Sequence, residues 1–176
     1  MNLTVLTGAP PLILFHLAAA LGALAVGALV LWRRKGTPAH VLTGRIWVGL
    51  MIAAAGSAIF ISEDPVLGPF SWLHLFVVAT AFGLYQGLSH IRRGDVAGHA
   101  SAMVSLFALA LIGAGAFTLT PGRRIPTALF GPAAGWGLSL LIMAPALVGA
   151  ALILGWGRRK AVALAQRAKR STARAG

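Results

Sequence analysis

The chain has 176 residues, 58% of them hydrophobic and 10% charged, with a mean hydropathy of +0.84. Those values exclude a water-soluble domain as the body of the protein and define an integral membrane protein. It has no cysteine, which excludes disulfides, iron–sulfur clusters and thiolate zinc sites, and its formal charge is +12.

A hydrocarbon core about 30 Å thick is crossed by about 20 apolar residues at 1.5 Å per residue. Runs of that kind lie near residues 10–32, 38–61, 70–90, 96–119 and 134–157. The expected fold is therefore all-α: a four-helix transmembrane bundle with a fifth, C-terminal transmembrane helix. Residues 1–124 form the histidine-bearing core, 125–157 an outer loop and the fifth helix, and 158–176 a basic cytoplasmic tail.

The first run, "PPLILFHLAAALGALAVGALVLW", has no Lys or Arg before it and is longer than the apolar part of a signal peptide. It is expected to remain in the mature protein. Arg33, Arg34 and Lys35 follow it. In "GTPAH" Thr37 can cap the second helix with Pro38 in its first turn, and in "RRGDVAGH" Asp95 can cap the fourth. Arg92 and Arg93 follow the third run, whereas "TPGRRIPTALFGPAAG", between the fourth and fifth, reads as an irregular outer segment from its Pro and Gly content.

Seven of the 15 Lys and Arg residues fall in 158–176. With the clusters after the first and third runs they lie on one side, opposite Glu63, Asp64, Arg123 and Arg124, which puts the N-terminus outside and the C-terminus inside. Trp32, Trp47 and Trp156 fall toward the inner ends of the helices and Trp72 and Trp136 toward the outer ends, as interfacial aromatic side chains do. A basic tail after a spanning helix serves topology and anionic lipid, so no nucleic-acid partner is expected.

Five histidines are costly in so apolar a chain, and ionisable groups at membrane depth are functional candidates. His16, five residues after Pro11, and His74, four after Phe70, share a depth near the outer face on helices running the same way. His40 and His99 open the second and fourth helices near the inner face. Two layers of two imidazoles result, each pair on one diagonal of a four-helix bundle. Such a pair can clamp a flat ligand, and one or two haem b groups with two axial imidazoles are the obvious case. The same histidines suit copper, zinc or a quinone, and each can also be a structural hydrogen-bonding group.

Small residues beside the candidate ligands, such as Ala20, Ala23 and Gly27 on the face of His16, leave room for a macrocycle and equally suit close helix packing. Arg45 near the inner layer and Arg123 or Arg124 near the outer end can meet haem propionates, or equally lipid phosphate. His90 lies 16 residues after His74, about 160° round the helix, and is read as an interfacial side chain.

The run "HVLTGRIWVGLMIAAAGS", then "WLHLF", "RRGDVAGHASAM" and "LTPGR" resembles the bacterial family of predicted membrane proteins catalogued as domain of unknown function 2306. The resemblance covers about residues 12 to 124 and falls on His16, His40, Gly44, Arg45, Met51, Ser57, His74, Asp95, His99, Met103, Pro121, Gly122 and Arg123. It implies a multi-pass protein of the bacterial inner membrane and carries no assigned activity. The alternating layout is also similar to that of the ascorbate-reducible transmembrane b-type cytochromes, which hold two haems between alternating helices of a four-helix core; that likeness is architectural.

The leading expectation is a small b-type cytochrome passing electrons between quinol or another reductant and a partner. The alternative is an accessory or assembly subunit of a larger membrane complex. A transporter is disfavoured, because the three acidic residues, Glu63, Asp64 and Asp95, lie in loops or at a helix start. No nucleophile–base pair or phosphate loop is present, so any enzymatic activity would be that of a haem-dependent transmembrane oxidoreductase.

Overall fold

The computed structural model describes residues 8–61, 68, 71, 73–131 and 135–175, and every regular element among them is helical. In chain order these are α1 (Pro11–Trp32), α2 (Pro38–Ala58), α3 (His74–Arg92), α4 (Val96–Phe117), α5 (Arg124–Phe130) and α6 (Trp136–Ala175). Glu63, Asp64 and Trp72 lie outside the described residues.

Helix ends follow the local chemistry of the sequence. Pro11 opens α1, where its missing N–H has no partner to lose, and Lys35 closes it by donating from Nζ to the carbonyls of Val30 (2.6 Å) and Leu31 (2.8 Å). The hydroxyl oxygen of Thr37 accepts from the His40 N–H at 3.2 Å, capping α2. Asp95 Oδ1 accepts from the Gly98 N–H at 2.8 Å, capping α4.

The helices form a ring in which α1 packs on α2, α2 on α3, α3 on α4, and α4 closes back on α1. Glycines set the approach. A Cβ at Gly27 of α1 would meet the Trp47 and Phe107 side chains, and one at Gly87 of α3 would meet Met103 and Ala102 of α4. Trp47, Met51, Leu84, Leu106 and Phe107 make the buried core, while large apolar side chains such as Phe15, Leu42, Val78 and Phe82 point outward. That inversion of the water-soluble pattern suits a lipid surround, where outward apolar surface carries no penalty. α6 lies outside the ring against α4, seated where Gly157 meets Val104.

The structure differs from the sequence expectation in several places. Four helices among the described residues are long and apolar enough to cross a membrane: α1, α2, α4 and the Trp136–Lys160 part of α6. α3 has 19 residues but carries Gln86, Ser89, His90 and Arg92 near its C-terminus and does not join them. It also begins at His74 rather than near residue 70, so His74 is the first helical residue instead of lying a turn inside.

The outer segment expected to be irregular contains α5. Pro126 sits in its first turn, where no backbone donor is needed, and Gly131 ends it at φ 84°. The basic tail is helical and continues from the last span, since α6 runs from Trp136 to Ala175. Finally, α4 is not uniform: Leu106–Gly113 winds as a π-helix, a form that clusters at functional positions.

Candidate functional site

A partly open cavity of about 470 Å3 lies between α1, α2, α3 and α4 and is bordered by α5 and Ala146 of α6. That volume is in the range of sites for cofactors and small ligands. Its wall is apolar, built from residues such as Leu17, Met51, Ala54 and Phe76. The π segment contributes Ala110, Leu111 and Ile112, so the wider backbone turn is part of the wall. Polar groups are few: His16 from α1, Thr80 from α3, Thr118, and the guanidinium-bearing Arg123 and Arg124.

His16 is oriented by α2. Its Nδ1 lies 2.9 Å from the Ala54 carbonyl oxygen and 3.1 Å from Ser57 Oγ. A carbonyl only accepts, so Nδ1 carries the hydrogen and Nε2 of the neutral ring keeps its lone pair. Ser57 donates its own hydroxyl to the Ala53 carbonyl at 2.7 Å, which leaves its oxygen free to share the His16 N–H. An imidazole anchored through Nδ1 to a backbone carbonyl, with Nε2 available, has the pattern of an oriented metal ligand.

His74, the expected partner of His16, is held differently. Its Nδ1 accepts from the Ser71 N–H at 3.0 Å, which leaves Nε2 as the protonated nitrogen, 3.2 Å from the Ile59 carbonyl oxygen. Both ring nitrogens therefore have partners within the chain, and His74 is not among the residues lining the cavity. His16 and His74 both bond to carbonyls near the C-terminal end of α2, His16 to that of Ala54, one turn from the end, and His74 to that of Ile59, just past it.

His99 Nδ1 donates to the Gly87 carbonyl at 2.8 Å, fixing the same tautomer as in His16, and His99 is an electrostatic neighbour of His40. His40 Nδ1 is buried without a hydrogen-bond partner, as is Trp47 Nε1 two turns along the same face of α2. Buried orphaned donors or acceptors are uncommon, and Ser139 Oγ of α6 is a third among the described residues.

The arginines divide. Arg123 and Arg124 line the cavity, and Arg123 also stacks over the Phe117 ring at 5.3 Å. Arg45 is exposed on α2, about 140° round the helix from His40. His90 pairs with Asp95, Nδ1 to Oδ2 at 2.8 Å, at the turn between α3 and α4 and away from the cavity. Among the described residues no group of three or more His, Asp or Glu could hold a metal ion by itself. The sequence reading missed Thr80, the π segment and the anchoring of His16 by Ala54. Ser57 had a signal, as part of the resemblance pattern; the others had none.

Apolar spans, outward-facing apolar side chains and a histidine-bearing apolar cavity define an all-helical membrane protein. The chain belongs to the predicted membrane protein family DUF2306, whose family model matches residues 13–155. No curated protein and no solved structure matches it.

Proposed function

We propose that the protein is a membrane-embedded electron-transfer protein of the b-type cytochrome kind, with haem held by histidines of alternating helices. The observation that carries this reading is His16: its Nε2 lone pair is set by the Nδ1–H bond to Ala54, on the wall of a 470 Å3 apolar cavity that also holds Arg123 and Arg124. These residues fit the group. His16 would ligate the iron, the two guanidiniums would neutralise the propionates, and the apolar wall would exclude water. To complete the outer pair His74 would have to release Ile59 and move its ring proton from Nε2 to Nδ1, giving up the Ser71 N–H for a bond to Ser71 Oγ, while His40 and His99 would hold an inner haem. When bound, haem supplies reversible one-electron chemistry.

In this reading α3 is a fifth span beside the four more apolar helices. The N-terminus faces outward, the basic C-terminus faces the cytoplasm of a bacterial cell, and quinol or another reductant is the donor. One visible absorption spectrum, oxidised and dithionite-reduced, with iron and copper content on the same sample, tests it. A Soret band with about one or two irons per chain is expected. Its absence after expression with ample haem overturns the proposal.

A second reading, an accessory or assembly subunit of a larger complex, draws on His74. Both its nitrogens are satisfied by the chain itself, as in a helix-capping role without a ligand. The cavity would then take a quinone, or the histidines would only tie helices together. A solubilised monomer that carries out reduction alone rules this reading out.

A further inference from the structure

The polar side chains on the cavity wall other than its two arginines are His16, Thr80 and Thr118, and each gives its hydrogen to the backbone. His16 donates from Nδ1 to the Ala54 carbonyl, Thr80 from Oγ1 to the Phe76 carbonyl at 2.6 Å, and Thr118 from Oγ1 to the Gly115 carbonyl at 2.7 Å. What these three keep for a ligand is lone pairs, on Nε2 of His16 and on the two hydroxyl oxygens. Among the described residues, the side-chain donors of the wall are the guanidiniums of Arg123 and Arg124, at its α5 end.

Two of the acceptors stand at one level. His74 bonds to Ile59, which follows Ala54, the anchor of His16, by five residues or roughly 7.5 Å of helix rise. α3 runs back along α2, and Thr80 lies six residues, about 9 Å, beyond His74. Thr80 is thus at nearly the depth of His16. The two come from α1 and α3, which are not neighbours in the ring, so they face the cavity from different sides. Thr80 is 5% exposed, and an acceptor left unpaired there has little water to turn to. The rest of the wall is apolar and partly open: Leu14, Leu21 and Leu24 line it and are also exposed on α1, a helix with the composition of a membrane span. A molecule dissolved in the bilayer can enter along that stripe.

We infer that the cavity binds a membrane quinol and prefers this reduced, dihydroxy ring to the oxidised dione. A hydroquinone carries an O–H at each end of a flat ring and so brings donors to acceptors on two sides, His16 Nε2 and Thr80 Oγ1. A quinone brings only carbonyl oxygens and leaves both acceptors unpaired. A site that pairs a ligand hydroxyl rejects the analogue lacking that hydrogen more sharply than an apolar pocket discriminates by size. The apolar wall that continues to Leu24 takes the hydrocarbon tail. The inference rests on the second reading above, in which the cavity takes a quinone-type molecule and His16 is not an iron ligand.

The test uses the full-length protein in neutral detergent without oxygen, with thermal unfolding followed as a decyl-tailed ubiquinol or its oxidised quinone is added. The quinol should bind about tenfold more tightly than the quinone, or better. Thr80→Val, which keeps the branched shape, and His16→Ala should each weaken quinol binding about tenfold and leave quinone binding nearly unchanged. Thr43→Val, which removes an α2 hydroxyl off the cavity, should bind both as the unaltered protein does. Equal affinity for the two forms overturns the inference while leaving the cavity a quinone site, and binding of neither overturns the underlying reading as well. A quinol preference that survives both Thr80→Val and His16→Ala places its origin outside these acceptors and overturns it too. So does a Soret band that His16→Ala removes, because Nε2 then belongs to iron.

Discussion

Nδ1 of His16 and the carbonyl oxygen of Ala54 lie 2.9 Å apart across the α1–α2 contact, and this bond directs the basic nitrogen of the imidazole away from α2. His74 has no such free nitrogen, because Ser71 and Ile59 occupy both. The two outer histidines are therefore unequal. In protein loaded with haem, His16→Ala should abolish the outer Soret contribution. His74→Ala should keep that haem but shift it toward the high-spin spectrum of a five-coordinate iron. Ser57→Ala removes only the weaker anchor of His16 and leaves Ala54, so haem affinity should fall about tenfold, the lower end for an outer-shell partner. Spectral titration of the three variants separates these outcomes, and a His74→Ala protein with no outer haem would show that His74 contributes as much as His16.

Close approach of α3 to α4 depends on Gly87. A methyl group there meets Met103 and Ala102, so Gly87→Ala should destabilise the fold by about 1–3 kcal/mol, as overpacking does. It should also loosen His99, whose Nδ1–H is held by the Gly87 carbonyl. Gly49 of α2 has open space beside it, and Gly49→Ala should leave the melting temperature unchanged or raised. Thermal unfolding of the two variants in one detergent makes the comparison.

What was legible in the sequence was local. Thr37, Pro38 and Asp95 act within three or four residues of themselves: Thr37 and Asp95 cap the helices they were expected to cap, and Pro38 takes the first position of α2. The depth of His74 was not legible, since hydropathy gives the length of a run but not its first turn. Here Ser71 donates its N–H to the His74 ring and the helix begins at His74 itself. Pro126 disguised α5, because a proline reads as loop unless its first-turn position is known. The partner of His16 could not be read at all: Ala54 is 38 residues away, and its carbonyl depends on the register of α1 against α2.

The π segment of α4 yields a third prediction. Leu106–Gly113 carries a wider turn than the α-helical residues on either side, and Ala110, Leu111 and Ile112 reach the cavity from it. Deleting Ala110 should restore α-helical winding, and because the tighter turn makes up for most of the missing residue, the two ends of α4 should keep nearly their relative phase while the wall residues between them change register. The wall opposite His16 would then be rebuilt, and ligand binding should fall more than tenfold while far-ultraviolet ellipticity per residue stays constant. Unchanged binding in the deletion variant would mean that the π winding does not shape the site.

Acid sensitivity should be concentrated at Asp95. Its carboxylate accepts from the Gly98 N–H through Oδ1 and meets His90 through Oδ2, and these contacts, the backbone bond foremost, hold its pKa below the ordinary 3.8. A carboxyl whose folded pKa is depressed contributes stability that is present above the unfolded value and lost as pH falls through the folded one. The cap on α4 should therefore hold at neutral pH and fail only below about pH 4. Asp95→Ala should lower the melting temperature at neutral pH and flatten its decline below about pH 4. Asp95→Asn keeps an oxygen for the Gly98 N–H, so it should retain most of the neutral-pH stability while losing the acid dependence. Melting curves of both variants across that range check the assignment, and an unaltered acid slope in Asp95→Asn would place the titrating group elsewhere.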